Sequence, residues 1–192
     1  MAALIDIIGA GIIAGLVLLS IFGLGANLNQ ASYEKSFTYA LQTNVVTLAR
    51  IMESDIVKIG YHIPKGTAIT SASANSITFK ADLADAGVTN IVRYTLSNTS
   101  SAEVNATLNP KDVVLYREVD GSTIAANLGV TNLQFAYYDS AGTPTATLSD
   151  IKSIYVKISL ESPERIINTA EAATDTSYPG VFWEKTIFPR NL

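Results

Sequence analysis

The chain has no cysteine and a single histidine, His62. The first absence excludes disulfides and thiolate metal sites, and the second excludes histidine pairs and most histidine-rich centres. Charge is scarce too: Asp, Glu, Lys and Arg make up 16% of 192 residues, for a net charge of −4. Nucleic-acid phosphates demand a basic surface, so no nucleic-acid partner is expected. No lysine or arginine precedes Lys35, and no proline precedes Pro64. Also missing are a nucleophile elbow that would single out any Ser, His and Asp, and a glycine loop that would cradle phosphate between strand and helix. The reading is of a non-enzyme with no catalytic residues and no cofactor.

What is present begins almost at the first residue. Ile7 to Ala26 are twenty consecutive uncharged residues, preceded by one lone acid, Asp6. A helix of that length crosses the roughly 30 Å hydrocarbon layer of a bilayer. A cleaved secretory signal has similar hydropathy but opens with a positive n-region, and here that region is missing. Gly25 and Ala26 supply the small residues of a cleavage site, but the segment is read as retained, covered by lipid or by other copies of itself.

After Ala26 the helical signal continues. Phe37, Leu41, Val45, Leu48, Met52, Ile56 and Ile59 follow at spacings of four and three, one apolar stripe of an α-helix. Lys35, Gln42, Arg50, Glu53 and Lys58 occupy the opposite face, and Gly60 stands where a helix stop is expected. A continuous helix from near the N-terminus to Ile59 would span about 80 Å. Its first half is apolar all round and needs partners; its second half must lean on the rest of the chain. Gly9, Gly11, Gly15, Gly23 and Gly25 each cost about 1 kcal/mol relative to alanine in a helix interior. Gly11 and Gly15 have the small-xxx-small spacing that lets apolar helices approach closely.

From Tyr61 the period changes to two. Strands are predicted at 76–80, 91–96, 113–119, 133–137, 154–160 and 181–187, with turns at Asp120–Gly121 and 139–142. Short connections between them imply antiparallel pairing. The expected fold is α+β: a helical stalk over 1–60, with 7–26 as its transmembrane or assembly segment, then an antiparallel β head over 61–192 whose sheet receives the striped half of the helix.

Several polar positions were weighed as sites. Asp82 and Asp85, three apart before Gly87, form a weak calcium candidate, since Ala84 and Ala86 stand where oxygen ligands would be needed. No metal is expected there, and His62 at the helix exit is read as structural. Asn98–Ser100 and Asn105–Thr107 match the glycosylation acceptor pattern and are read as chance matches. Asp6 stands apart, because a carboxylate in an apolar stretch needs either the interface or a partner. In a bundle without lipid, the nearest cation is another chain's α-ammonium.

With these residues in view, the chain resembles the type IV pilin-like proteins, including pseudopilins. Ala2-Ala3-Leu4-Ile5-Asp6 aligns with the family's mature aromatic-Thr-Leu-Ile-Glu start. The stretch from Asp55 to Gly60-Tyr61 is similar to the helix end of larger minor pilins, as are 77–79, 92–94, 115–117, 133–139 and 190–192. The chain departs in having aspartate for glutamate, no aromatic first residue and no basic leader. The resemblance implies that Asp6 pairs with a neighbour's N-terminal amine, and Asp6, Ile7, Gly11, Ile12, Gly15, Leu16 and Leu19 form the candidate assembly surface. It implies a filament subunit, homo-oligomeric through its N-terminal helices, inserted in the inner membrane before assembly and handled by a pilus or secretion machinery with an ATPase. The alternatives are a minor pseudopilin of a secretion or DNA-uptake complex, or a membrane-anchored surface binding module with ligand loops at 98–109 or 141–147.

Overall fold

The structure, a computed structural model, describes residues 2–64, 68–97, 107–126, 128–164 and 178–192. The chain forms two compact units, Met1–Tyr39 and Ala40–Leu192. Helix α1, Ala2–Val57, supplies the described part of the first unit and opens the second. Gly60 ends the predicted stripe, whereas the units divide at residues 39 and 40. The amphipathic turns from Leu41 onward belong with the head because their apolar stripe is buried there. Leu41, Val45, Leu48, Met52, Ile56 and Ile59 are all buried, each of which stabilises by roughly 1.5–3 kcal/mol.

The helix closes on tightened bonds. The Lys58 amide donates to the Asp55 carbonyl and the Ile59 amide to that of Ile56, both at 3.1 Å. Gly60 then turns the chain with a φ of 79°. Its amide donates to the Lys80 carbonyl at 3.0 Å, and the Asp82 amide donates to the Tyr61 carbonyl at 3.1 Å. The helix exit is thereby pinned alongside a strand.

The predicted strands form, and two more appear. They are β1 Ile69–Ala72, β2 Ser76–Ala81, β3 Asn90–Leu96, β4 Leu115–Val119, β5 Ser122–Ala126, β6 Val130–Tyr138, β7 Ser153–Glu161 and β8 Gly180–Ile187. All pairings are antiparallel, but the expected single sheet is two: β1–β5 in sequence order, and β6-β7-β8. The break falls between Ala126 and Val130, where Gly129 has a φ of 80° and its carbonyl accepts the Glu161 amide at 2.8 Å. Nothing in period-two alternation separates such a break from an ordinary hairpin turn.

Alternation places Ile77, Phe79, Ala81, Val92 and Tyr94 from the first sheet, and Leu133, Phe135, Ile154, Val156, Ile158 and Leu160 from the second, in one core with the helix stripe. Strand β4 starts at Leu115 rather than Val113, since Val113 and Val114 are both buried and so break the alternation. Cross-links join the sheets: the Phe135 amide donates to the Ala74 carbonyl at 2.7 Å, and the Tyr137 hydroxyl to that of Ser73 at 2.8 Å. The Asp120–Gly121 turn has φ of 51° and 82°, the pair that a two-residue hairpin of this twist requires.

Gly60 and Gly142 share a left-handed backbone but not their surroundings. A Cβ on Gly60 would lie 2.7 Å from the Asn191 carbonyl oxygen, while one on Gly142 meets nothing within 4 Å. Gly142→Ala is expected to cost about 1–2 kcal/mol, the left-handed penalty alone, and Gly60→Ala about 3 kcal/mol or more. Denaturant unfolding of the two variants checks the difference.

Candidate functional site

The candidate assembly surface lies on the N-terminal part of α1. A helix carrying so many apolar side chains should bury them, yet none of its most apolar 18-residue window is buried inside the chain. Ile7, Ile12, Leu16 and Leu19 are 71%, 60%, 59% and 70% exposed. Asp6 is exposed and has no partner among the described residues. A Cβ added at Gly9, Gly11, Gly15, Gly23 or Gly25 would meet nothing within 4 Å. These glycines therefore answer to no steric demand of their own chain. A shallow groove also runs along Ile13, Leu16, Val17, Ser20, Ile21 and Leu24, a neighbouring stripe that shares only Leu16 with the predicted set. The helix is apolar all round, so residue spacing offers no way to choose between stripes.

By length and composition this helix is a candidate membrane span or signal-like segment.

In the head, three clusters of polar side chains stand out among the described residues by their burial or by the residues singled out above. At the first, Asp55 reaches from the buried side of α1 into the sheet. Arg117 Nε donates to Asp55 Oδ2 at 2.7 Å and Nη2 to Oδ1 at 3.2 Å, and the Tyr94 hydroxyl donates to Oδ2 at 2.6 Å. The Asp55 carboxylate raises the affinity of Arg117 for its proton, and burial holds the Tyr94 phenol well above its ordinary range.

The second is the helix exit. His62 Nδ1 donates to Asp82 Oδ2 at 3.0 Å and lies 3.9 Å from Asp85 Oδ1. The buried Asp82 carboxylate also accepts the Ala86 amide at 3.0 Å and the Gly87 amide at 2.7 Å. The His62 contact, then these amides, hold Asp82 below the usual carboxylate range against the opposing effect of burial. The Tyr61 hydroxyl donates to Asp85 Oδ1 at 2.9 Å, which raises its pKa. Asp82 and Asp85, the residues of the calcium candidate, thus share a corner with His62, which lies 20 positions earlier in the chain.

The third cluster precedes β4. Asn109 donates to Glu161 Oε2 and to the Ser162 carbonyl, both at 3.1 Å, and Lys111 pairs with Glu161. Asp112 is 1% exposed; its Oδ2 accepts from the Thr107 hydroxyl and its Oδ1 has no partner among the described residues. Burial, reinforced by the nearby Glu161 charge, pushes the Asp112 carboxyl up despite the Thr107 bond.

Both proposed ligand loops were checked against this geometry. Residues 98–106, and with them most of the two glycosylation matches, lie outside the described residues. The turn near 141–147 is self-satisfied, because Asp139 Oδ1 accepts the amides of Ala141 and Thr143 at 2.8 and 2.9 Å. Comparison with protein-family models, curated proteins and solved structures finds no match to this chain.

Two measurements test the polar clusters. Arg117→Ala leaves Asp55 buried and uncompensated and is expected to cost about 3–5 kcal/mol in chemical denaturation. The native Asp112 carboxyl holds its proton above the ordinary value of 3.8, so the folded state binds more protons than the unfolded one in that window. Its contribution to stability therefore falls as pH rises through the window. Asp112→Asn removes the titration, so the unfolding free energy of the variant should gain on wild type as pH rises above the ordinary carboxylate value of 3.8.

Proposed function

We propose that the chain is a structural subunit of a pilin-like extracellular filament, polymerising through the apolar half of α1. The observation that carries this reading is an unburied apolar helix that continues, without a break in its backbone bonds, into a well-packed head. Sister helices supply the missing cover. Removal from water favours bundling at about 25 cal/mol per Å² of apolar area. Starting from lipid, most of that drive vanishes, so transfer from the inner membrane into the filament calls for a machine, and the pilin-like resemblance implies that this is an assembly ATPase. Close approach at Gly11 and Gly15 brings backbones together, with Ile7, Ile12, Leu16 and Leu19 filling the gaps, and Asp6 closes the amine of the next copy.

The same exposed helix supports a second reading, a membrane-anchored surface module. The two separate cleanly, because an anchor needs only hydrophobicity. Asp6→Ala and Gly15→Ile keep the helix apolar; Asp6 is exposed and a Cβ at Gly15 meets nothing within 4 Å. In a filament subunit each should abolish or sharply reduce filaments in negative-stain micrographs, while circular dichroism of the head stays unchanged. Wild-type filament yield from both variants, or no homopolymer from purified wild type, would overturn the filament reading. A minor pseudopilin would assemble only with non-identical partners, leaving the purified chain unpolymerised.

A further inference from the structure

We propose that the corner where α1 meets the β2–β3 loop binds a first-row divalent metal ion, zinc being the best fit, through His62, Asp82 and Asp85. The proposal is independent of how the N-terminal helix is covered. One ligand atom from each residue lies within 4.8 Å of the other two. Donors about 2.0–2.2 Å from a tetrahedral zinc stand roughly 3.3–3.6 Å apart. The observed separations from His62 Nδ1, 3.0 Å to Asp82 and 3.9 Å to Asp85, bracket that spacing. The His62 and Asp85 side chains are 51% and 70% exposed, so small rotations close the set and solvent reaches the open position.

Charge points the same way. Two carboxylates flank one imidazole, Asp82 in hydrogen-bond contact at 3.0 Å and Asp85 at 3.9 Å, and no lysine or arginine pairs with either among the described residues. A divalent ion bound to both carboxylates and a neutral imidazole makes the set neutral. The imidazole changes tautomer on binding: Nδ1 gives up its proton, Nε2 carries one, and the freed Nδ1 lone pair goes to the metal.

Each ligand is held from behind, as metal ligands are when an outer shell orients them. The Ala86 and Gly87 amides fix Asp82, the Tyr61 hydroxyl fixes Asp85, and the His62 ring stacks on Tyr61 with centroids 4.1 Å apart. The donor set selects the ion. Calcium and magnesium take oxygen ligands, usually more than two carboxylates provide, whereas imidazole with carboxylate suits zinc and its neighbours. Bound metal would tie the helix exit to the loop after β2.

The test uses the tag-free full-length chain titrated with zinc chloride and, separately, calcium chloride by calorimetry. The imidazole resonances of the sole histidine are followed in parallel by NMR. Expected are one equivalent of saturable zinc, a shift of the His62 signals, and calcium binding weaker by about tenfold or more. His62 and Asp85 have φ of 57° and 56°, a conformation asparagine tolerates, so His62→Asn and Asp85→Asn should fold as wild type. Each is expected to weaken zinc by about tenfold or more. Absence of saturable zinc binding, wild-type affinity in His62→Asn or in Asp85→Asn, or calcium binding tighter than zinc would overturn the proposal.

Discussion

Asp55 lies on the inward face of a helix that is otherwise apolar there, and it meets Arg117 and Tyr94 from two adjacent strands. That contact constrains the head more tightly than the surrounding hydrophobic burial does. Apolar side chains on α1 could slide by a turn against the sheets at modest cost, because Leu, Val and Ile are interchangeable fillers. A carboxylate with a two-point guanidinium contact and a phenol has one place to go, and any other leaves a charge stranded. We take its main contribution to be specificity of helix placement rather than net stabilisation. With the helix so placed, Gly60 falls beside β2, and the corner holding His62, Asp82 and Asp85 follows.

Much of this architecture was legible in the sequence, for identifiable reasons. The stripe from Leu41 to Ile59 has no competing period, and β2, β3, β6 and β7 alternate because one face of each is buried. Strand β5 was missed because Ser122–Ala126 is largely exposed and pairs with one neighbour. It owes its register to the Asp120–Gly121 turn rather than to any pattern of its own. The split into two sheets was invisible because strands consecutive in sequence still pair with each other on both sides of the break.

Polar sites were harder to read. The exposed apolar half of α1 was legible because it is one uninterrupted uncharged run, although nothing in its spacing chooses one stripe over another. The corner at His62 could not, since its members come together only when the Gly60 and Tyr61 backbone pairs with β2. The two aspartates alone pointed to a hard oxygen-ligated ion, and the imidazole that changes the choice of metal lies on the far side of both β1 and β2 in the chain. Asp112 carried no signal either, for its burial comes from the neighbourhood of Glu161 and Ser162.

The glycines of the N-terminal helix carry a consequence for how this protein is measured. In a solitary chain, exchanging any of them for alanine adds helix propensity and obstructs nothing, so melting experiments on monomers would score each exchange as an improvement. Only a crowded environment could reveal a penalty. On the filament reading proposed above, ranking variants by thermal robustness and by fibre yield should produce opposed orders over the first 25 positions, and the ordinary optimisation of a purified sample would select against polymerisation.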